Sequence, residues 1–223
     1  AKAISGEKGR SLGSPIHSLG TASGGSREDI PVAQAHPVDG SVYNFFTWAE
    51  QLQDFADEVI GTDSSITLVA NSIGSISALQ AALDKPERVN GVAIVNPNFR
   101  ELHSAEQPAL LRPIIMPIVE GVQRTLREKG QGLFDALANP GTVKQILKEP
   151  YYDAEQVTDE LVDVLLTPLL SEGAADVVFD TLSYSAGPLP EQQLADPRLK
   201  DIPVLVCFGD KDPWTPSERV LAL

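Results

Sequence analysis

Ser72 has the setting that most suggests chemistry. A β-rich apolar run, Ile66-Thr67-Leu68-Val69-Ala70, leads into Asn71-Ser72-Ile73-Gly74-Ser75, and a small-residue helical pattern continues through Leu83 to Pro86. A sharp strand-to-helix turn with serine at its apex is strained, so small residues must flank it, and the turn lifts Oγ clear of the backbone. The helix N-terminus beside it favours an alkoxide or an oxyanion. The usual spacing is G-x-S-x-G; here Ala70 replaces the first glycine and Gly74 supplies the second. Read more plainly, the same residues form a serine cap on a strand-to-helix turn.

A nucleophilic serine needs a base, and the base needs an acid to orient it. Asp212 is the candidate acid. It follows a second strand-like run, Pro203-Val204-Leu205-Val206-Cys207-Phe208, in the loop Gly209-Asp210-Lys211-Asp212-Pro213. Asp210 competes for the role, and aspartate before proline is also a common turn residue. The base is harder to place. His17, His36 and His103 all precede Asp212, and no histidine follows it in this chain. His103 opens a helical stretch and reads as an insertion or surface residue, while His17 and His36 lie in a head of different composition.

The patterns around these residues divide the chain into four parts. Residues 1–40 are dense in Gly, Ser and Pro and hold no period, so loop or disorder is expected. Residues 41–98 carry the elbow. There Thr47 and Glu50 match a capping box, and Trp48, Leu52, Phe55, Ala56 and Val59 share one helical face. Gly61 suits a left-handed helix end, and Val92-Ala93-Ile94-Val95 is a further strand. Residues 99–198 read as mostly helical. Asp153 with Gln156 would cap a helix bearing Val157, Leu161, Val164 and Leu165 and ended by Pro168; a second helix covers 174–182, with weaker ones near 118–128 and 142–148. Residues 199–223 return to strand and acid loop. Apolar strands alternating with helices predict an α/β chain, its mostly parallel sheet covered on both faces and interrupted by a helical insertion.

Composition narrows the partners. The 223 residues include 17 basic and 31 acidic side chains, a net charge of −14. Such a surface repels phosphate backbones, so nucleic acid is not an expected partner, and docking on anionic lipid is disfavoured. A hydrophobic fraction of 42% supports a globular core. The single cysteine, Cys207, excludes an internal disulfide or a cysteine metal cluster, and three histidines make a multi-histidine metal site a poor fit. The best apolar stretch, 109–122, is cut by Arg112, Pro113, Pro117 and Glu120. It falls short of the ~20 residues that a spanning helix needs, which leaves peripheral contact as the membrane mode open. No secretory leader pattern is visible.

From Gly40 to Leu223 the chain resembles the α/β-hydrolase superfamily, and within it the plant and algal branch related to pheophytinase and chlorophyll dephytylase. The likeness is carried by Phe45 through Leu52, by Ala70 through Ser75, and by Pro86-Glu87-Arg88-Val89-Asn90-Gly91-Val92 leading to Asn96. Tyr151 through Leu161, Ser183-Tyr184-Ser185-Ala186-Gly187-Pro188-Leu189-Pro190 and Gly209 through Trp214 extend it. The resemblance implies an α/β-hydrolase fold with Ser72 as nucleophile, Asp212 as acid and the Ile73 amide as one oxyanion donor. It also implies a lid from about 97 to 200 over a small hydrophobic ester, an acyl-enzyme route that needs no cofactor, and a chloroplast location. Serine at the elbow is unlike the aspartate of the superfamily's dehalogenases and epoxide hydrolases. Phe134, Leu137, Ile146, Leu165 and Leu166 would either meet a long alcohol such as phytyl or form the lid's own core. Tyr151 and Tyr152 would line the pocket or simply pack.

Family members also have strands before the elbow, a loop supplying the second oxyanion amide, and a histidine beyond the acid. Ile16 through Ser23 faintly echoes a family turn, D-x-x-G-x-G-x-S, with His17 where aspartate would stand. The chain therefore reads as an internal portion of a hydrolase, truncated at both ends, whose open sheet edges would make it prone to aggregate alone. Two other functions fit the same residues: a binding protein on this fold without a triad base, and a lyase or thioesterase.

Overall fold

The structure, a computed structural model, describes residues 36, 38, 40–100, 103–106 and 110–223. Strands β1 (Ile66–Asn71), β2 (Val89–Val95) and β3 (Val204–Cys207) form one sheet in the order β1-β2-β3. Both pairings are parallel. Strand β2 starts earlier than its apolar run, because Val89 already pairs with Ile66. The register aligns Leu68, Val92 and Val204 in one row and Ala70, Ile94 and Val206 in another. Alternation then sends Val69, Ala93 and Leu205 to the opposite face.

Helix α1 (Phe45–Phe55), extended by a π turn over Ala56–Ile60, packs against α2 (Gly74–Asp84) on the first face. Leu79, Ala82 and Leu83 join Ala56, Ile66, Val92, Ile94, Leu199 and Ile202 in the main core. Full burial of a leucine or isoleucine there contributes about 1.5–3 kcal/mol. Helix α2 is buried on nearly every side from Ser75 to Leu83, which explains its small residues. Neighbouring glutamines meet its carbonyls: Gln53 Nε2 donates to Ala81 at 2.6 Å and Gln193 Nε2 to Ile76 at 3.0 Å. On the other face Val69 and Leu205 are 74% and 60% exposed. Among the described residues that face stays open to solvent.

Between β2 and β3 lies the helical insertion: α3 (Arg112–Lys129), α4 (Gln131–Leu137), α5 (Pro140–Leu147), α6 (Asp159–Leu169), α7 (Ala174–Leu182) and α8 (Pro190–Leu194). Helix α7 coincides with the expected 174–182. A short α9 (Ser217–Val220) follows β3. Among the described residues no helix is long and apolar enough to cross a membrane.

Three local expectations are corrected. The cap of α1 is Asn44, one turn before Thr47. Asn44 Oδ1 accepts the Phe46 and Thr47 amides at 3.0 and 2.9 Å, and its Nδ2 donates to the Thr47 hydroxyl. Phe45 is drawn into a cluster with Ile76, Tyr184 and Ala186. At 100° per residue the inward stripe becomes Phe45, Ala49, Gln53 and Ala56, so Leu52, Phe55 and Val59 face outward. Gly61 ends the π turn at φ +102°, a value suited to glycine, but with extended ψ rather than the left-handed helical one. Asp153 caps a single turn over Ala154–Gln156 and not α6. Helix α6 starts under Thr158, whose hydroxyl accepts the Leu161 amide, and Pro168 lies inside its last turn, so the helix runs one residue past the proline, to Leu169. Of the head, His36, Val38 and Gly40 are described; His17 and the stretch from Ile16 to Ser23 lie outside the described residues.

Candidate active site

Ser72 lies between β1 and α2 with φ +50°. That left-handed value costs a non-glycine residue about 1–2 kcal/mol. Ser75 fastens the turn: its N–H and Oγ both donate to the Ser72 carbonyl, at 3.0 and 2.5 Å. Ser75 thus closes the turn through both its backbone and its side chain. A Cβ placed on Gly74 would stand 3.9 Å from the Ala70 Cβ, so the two small flanks of Ser72 face each other at contact distance. Ser72 is half-buried, and its Oγ has no hydrogen-bond partner among the described residues. Ile73 follows at the helix start, where amides have no carbonyl one turn below.

Asp212 is half-buried in the loop after β3. Its Oδ1 accepts the Trp214 and Thr215 amides at 2.8 and 3.1 Å, and its own N–H donates to the Gly209 carbonyl at 3.2 Å. The carboxylate is thus held by one oxygen, with Oδ2 left over. Asp210, its competitor, is exposed and has no polar partner among the described residues.

The strand ends bring the two loops to one edge. The Ser72 N–H continues the β1–β2 ladder by donating to the Val95 carbonyl at 2.9 Å. On the far side of β2, the Asn96 N–H donates to the Cys207 carbonyl at 2.8 Å, and Asn96 Oδ1 accepts the Gly209 N–H at 3.0 Å. Ser72 and Asp212 therefore follow the C-terminal ends of β1 and β3, one strand apart on either side of β2. At about 4.8 Å per strand they are separated by roughly 10 Å along the edge, a gap that side chains reaching from both sides to one imidazole can close. Crevices at these strand ends are where open α/β sheets bind ligands. Asn96, at φ +46°, is the joint between the loops. The residues around it marked a likeness without revealing this role.

The pattern of the Alpha/beta hydrolase family matches residues 13–223. The chain belongs to that family. Pheophytinase, chloroplastic, from Arabidopsis thaliana is 26% identical over 192 residues, covering 79% of this chain and 37% of that protein. Homoserine O-succinyltransferase from Nitrosomonas eutropha (strain DSM 101675 / C91 / Nm57) is 42% identical over 53 residues, 24% of this chain and 14% of that enzyme. The chain thus spans well under half the length of either curated relative. Its sequence is similar to pheophytinase, and its parallel sheet with helices packed on one face fits the α/β-hydrolase family.

A buried cation, not foreseen from the sequence, ties the 184–188 segment of the insertion to Phe45 of α1. Arg100, at φ +55°, donates to the carbonyls of Tyr184, Ala186 and Pro188. Its guanidinium lies 4.5 Å over the Phe45 ring and 5.1 Å over Tyr184. Burial lowers Arg100 to about 10, still charged at neutral pH, and raises the Tyr184 phenol to about 12. Gly187 turns this segment at φ +91°, where a Cβ would strike the Tyr184 hydroxyl. No local pattern announces Arg100, since its partners are 84–88 residues away.

The two described histidines serve the same packing. His103 is buried, with Nε2 3.1 Å from the Gly187 carbonyl, so of the two expected places, insertion or surface, it takes the first. His36 Nδ1 accepts the Val38 amide at 3.0 Å, which leaves Nε2 to donate to the Asp180 carbonyl at 2.9 Å. The insertion's apolar residues divide. Phe134 packs edge-on against Phe179, and Leu166 joins Val143, Val157 and Val162 in a local core. Leu137, Ile146 and Leu165 remain exposed. Tyr152 neither packs in the core nor lines an enclosed pocket: it is 72% exposed and meets Lys211 beside the acid. A cleft of about 520 Å³ among Phe134, Asp135, Leu169 and Glu172 includes no residue of the elbow or the acid loop.

Proposed function

We propose that the protein is a serine hydrolase that cleaves a carboxylic ester of a hydrophobic alcohol through an acyl-enzyme. The observation that carries this reading is Ser72 at φ +50° on a strand-to-helix turn, at the same sheet edge as a carboxylate with one oxygen to spare. In the proposed reaction Ser72 Oγ loses its proton to an imidazole oriented by Asp212 and attacks the ester carbonyl carbon. The Ile73 amide stabilises the oxyanion. The alcohol leaves with the proton, and water then releases the acid and restores Ser72. His36 and His103 are both engaged with insertion carbonyls, so neither is assigned as the base.

Residues 41–98 and 199–223 would then form the catalytic core, and 99–198 the lid. Similarity to pheophytinase favours a long apolar alcohol such as phytyl, and with it a chloroplast location. The exposed Leu137, Ile146 and Leu165 suit such a chain. An exposed ridge on α3, Ile114, Ile118 and Val122, would suit peripheral contact with a membrane that holds the substrate. A second reading, a non-catalytic binding protein on the same fold, draws on the commitment of the described histidines elsewhere. Fluorophosphonate labelling of the protein and of Ser72→Ala tests both. Labelling of the wild type alone is expected. Equal labelling of the two refutes Ser72 as nucleophile, and labelling of neither favours the binding protein.

A further inference from the structure

Among the described residues, a contact of Arg219 and one of Lys211 fasten the acid-loop segment to the helical insertion, and they differ in strength. Arg219 of α9 donates to Glu106 Oε1 at 3.0 Å and lies 4.3 Å over the buried Phe99 ring. Its side chain and that of Glu106 are both more than half shielded. Lys211, next to Asp212, reaches Tyr152 instead. Its Nζ donates to the phenol oxygen at 3.3 Å and stands 4.5 Å from the ring centre. Both of these side chains are exposed, so water and salt compete freely for the contact. The acid loop itself does not yield easily, because Asp212 Oδ1 pins the Trp214 and Thr215 amides and Asn96 pins Gly209. Tyr152 lies outside any helix, between α5 and the turn at Ala154. If one side moves, it is the insertion.

We propose that Lys211 and Tyr152 are the latch of a gate over the Ser72–Asp212 edge. The insertion pivots on the Arg219–Glu106–Phe99 contact and opens by parting Tyr152 from Lys211. The pair thereby selects by size: a bulky ester enters only past the open latch, and a small one enters without it. The latch stands on the contacts alone; the size selection rests on the proposed serine hydrolase.

Limited digestion with chymotrypsin, which cuts after exposed tyrosine, reads the latch without any chemistry at Ser72. Cleavage after Tyr151 and Tyr152 is expected to be about two- to fivefold faster in Lys211→Met than in the wild type, as loss of an exposed cation–π contact implies. Lys211→Arg should behave like the wild type. Half-molar salt should speed wild-type cleavage, a comparison that needs no variant, and should leave Lys211→Met nearly unchanged. Equal rates for the wild type and Lys211→Met, or a salt-insensitive wild type, overturn the latch. On p-nitrophenyl esters, Lys211→Met should raise kcat/KM for a long-chain ester by a similar factor and leave the acetate unchanged. An equal change on both overturns the gate. Hydrolysis that survives Ser72→Ala would overturn the nucleophile assignment and leave the cleavage result standing.

Discussion

Replacing Ser72 by glycine and, separately, by alanine isolates the strain in the elbow. Both changes remove a half-buried Oγ that has no hydrogen-bond partner among the described residues, so each variant forgoes the same weak packing of one hydroxyl. Alanine keeps a Cβ at φ +50° and with it a cost of about 1–2 kcal/mol relative to glycine in the folded state. Glycine gives back about 0.4–1 kcal/mol through its freer unfolded chain. The glycine variant should therefore be the more stable by roughly 0.5–1 kcal/mol. In a chain of this length each kcal/mol moves the midpoint by about 2–4 °C, so it should melt about 1–4 °C above the alanine variant. Thermal unfolding followed by circular dichroism, repeated as urea titrations, measures the difference. A glycine variant that melts at or below the alanine variant would refute the argument. Ser72 would then be an ordinary cap, and the strain offered as the sign of a functional turn would not exist.

Asp212 can be divided into loop cap and acid. Asp212→Asn keeps an oxygen for the Trp214 and Thr215 amides and should melt like the wild type, whereas Asp212→Ala should lose about 1 kcal/mol. Turnover should fall by about three to four orders of magnitude in both, and a fully active Asp212→Asn would contradict the assignment. At Asn96, aspartate keeps the acceptor for Gly209, glycine loses it but relieves φ +46°, and alanine does neither. Urea unfolding should rank alanine lowest, about 2 kcal/mol below the wild type; a tolerated Asn96→Ala would remove Asn96 as the joint. Asp196 is buried, and its hydrogen bond from Arg198 holds the carboxyl below its ordinary range. A depressed carboxylate contributes stability that is full above its unfolded value of about 4 and fades as pH falls through the folded one. The stability gap between the wild type and Asp196→Asn should thus be present at pH 7 and shrink progressively as pH falls below about 4, with a gap that widens in acid as the contrary result.

Local rules reached far into this chain where one stretch holds all the determinants. The apolar runs at 66–70 and 204–207 read as parallel strands because continuous hydrophobicity marks such strands, although Val69 and Leu205 stay exposed on the second face. Helix α7 was legible to the residue from its own pattern. Ser72 and Asp212 stood out because each follows a strand and their order along the chain is informative. The start of α1 was not decided locally. Asn44–Thr47 and Thr47–Glu50 are both sound capping pairs, and the choice fell to Phe45, whose place beside Ile76 and Tyr184 exists only after the insertion folds back.

The residues by themselves determined the strands, most helix cores and the two chemically suggestive side chains, because those depend on neighbours two to four positions away. The tertiary structure alone decided what joins them. Asn96 bonds Gly209 across 113 positions, Arg100 grips 184–188 across more than eighty, and Lys211 meets Tyr152 across 59. Each of these contacts is a polar group finding a partner after the chain has returned on itself. The return path is set by how the insertion and the sheet bury their apolar faces together, which no window of sequence contains.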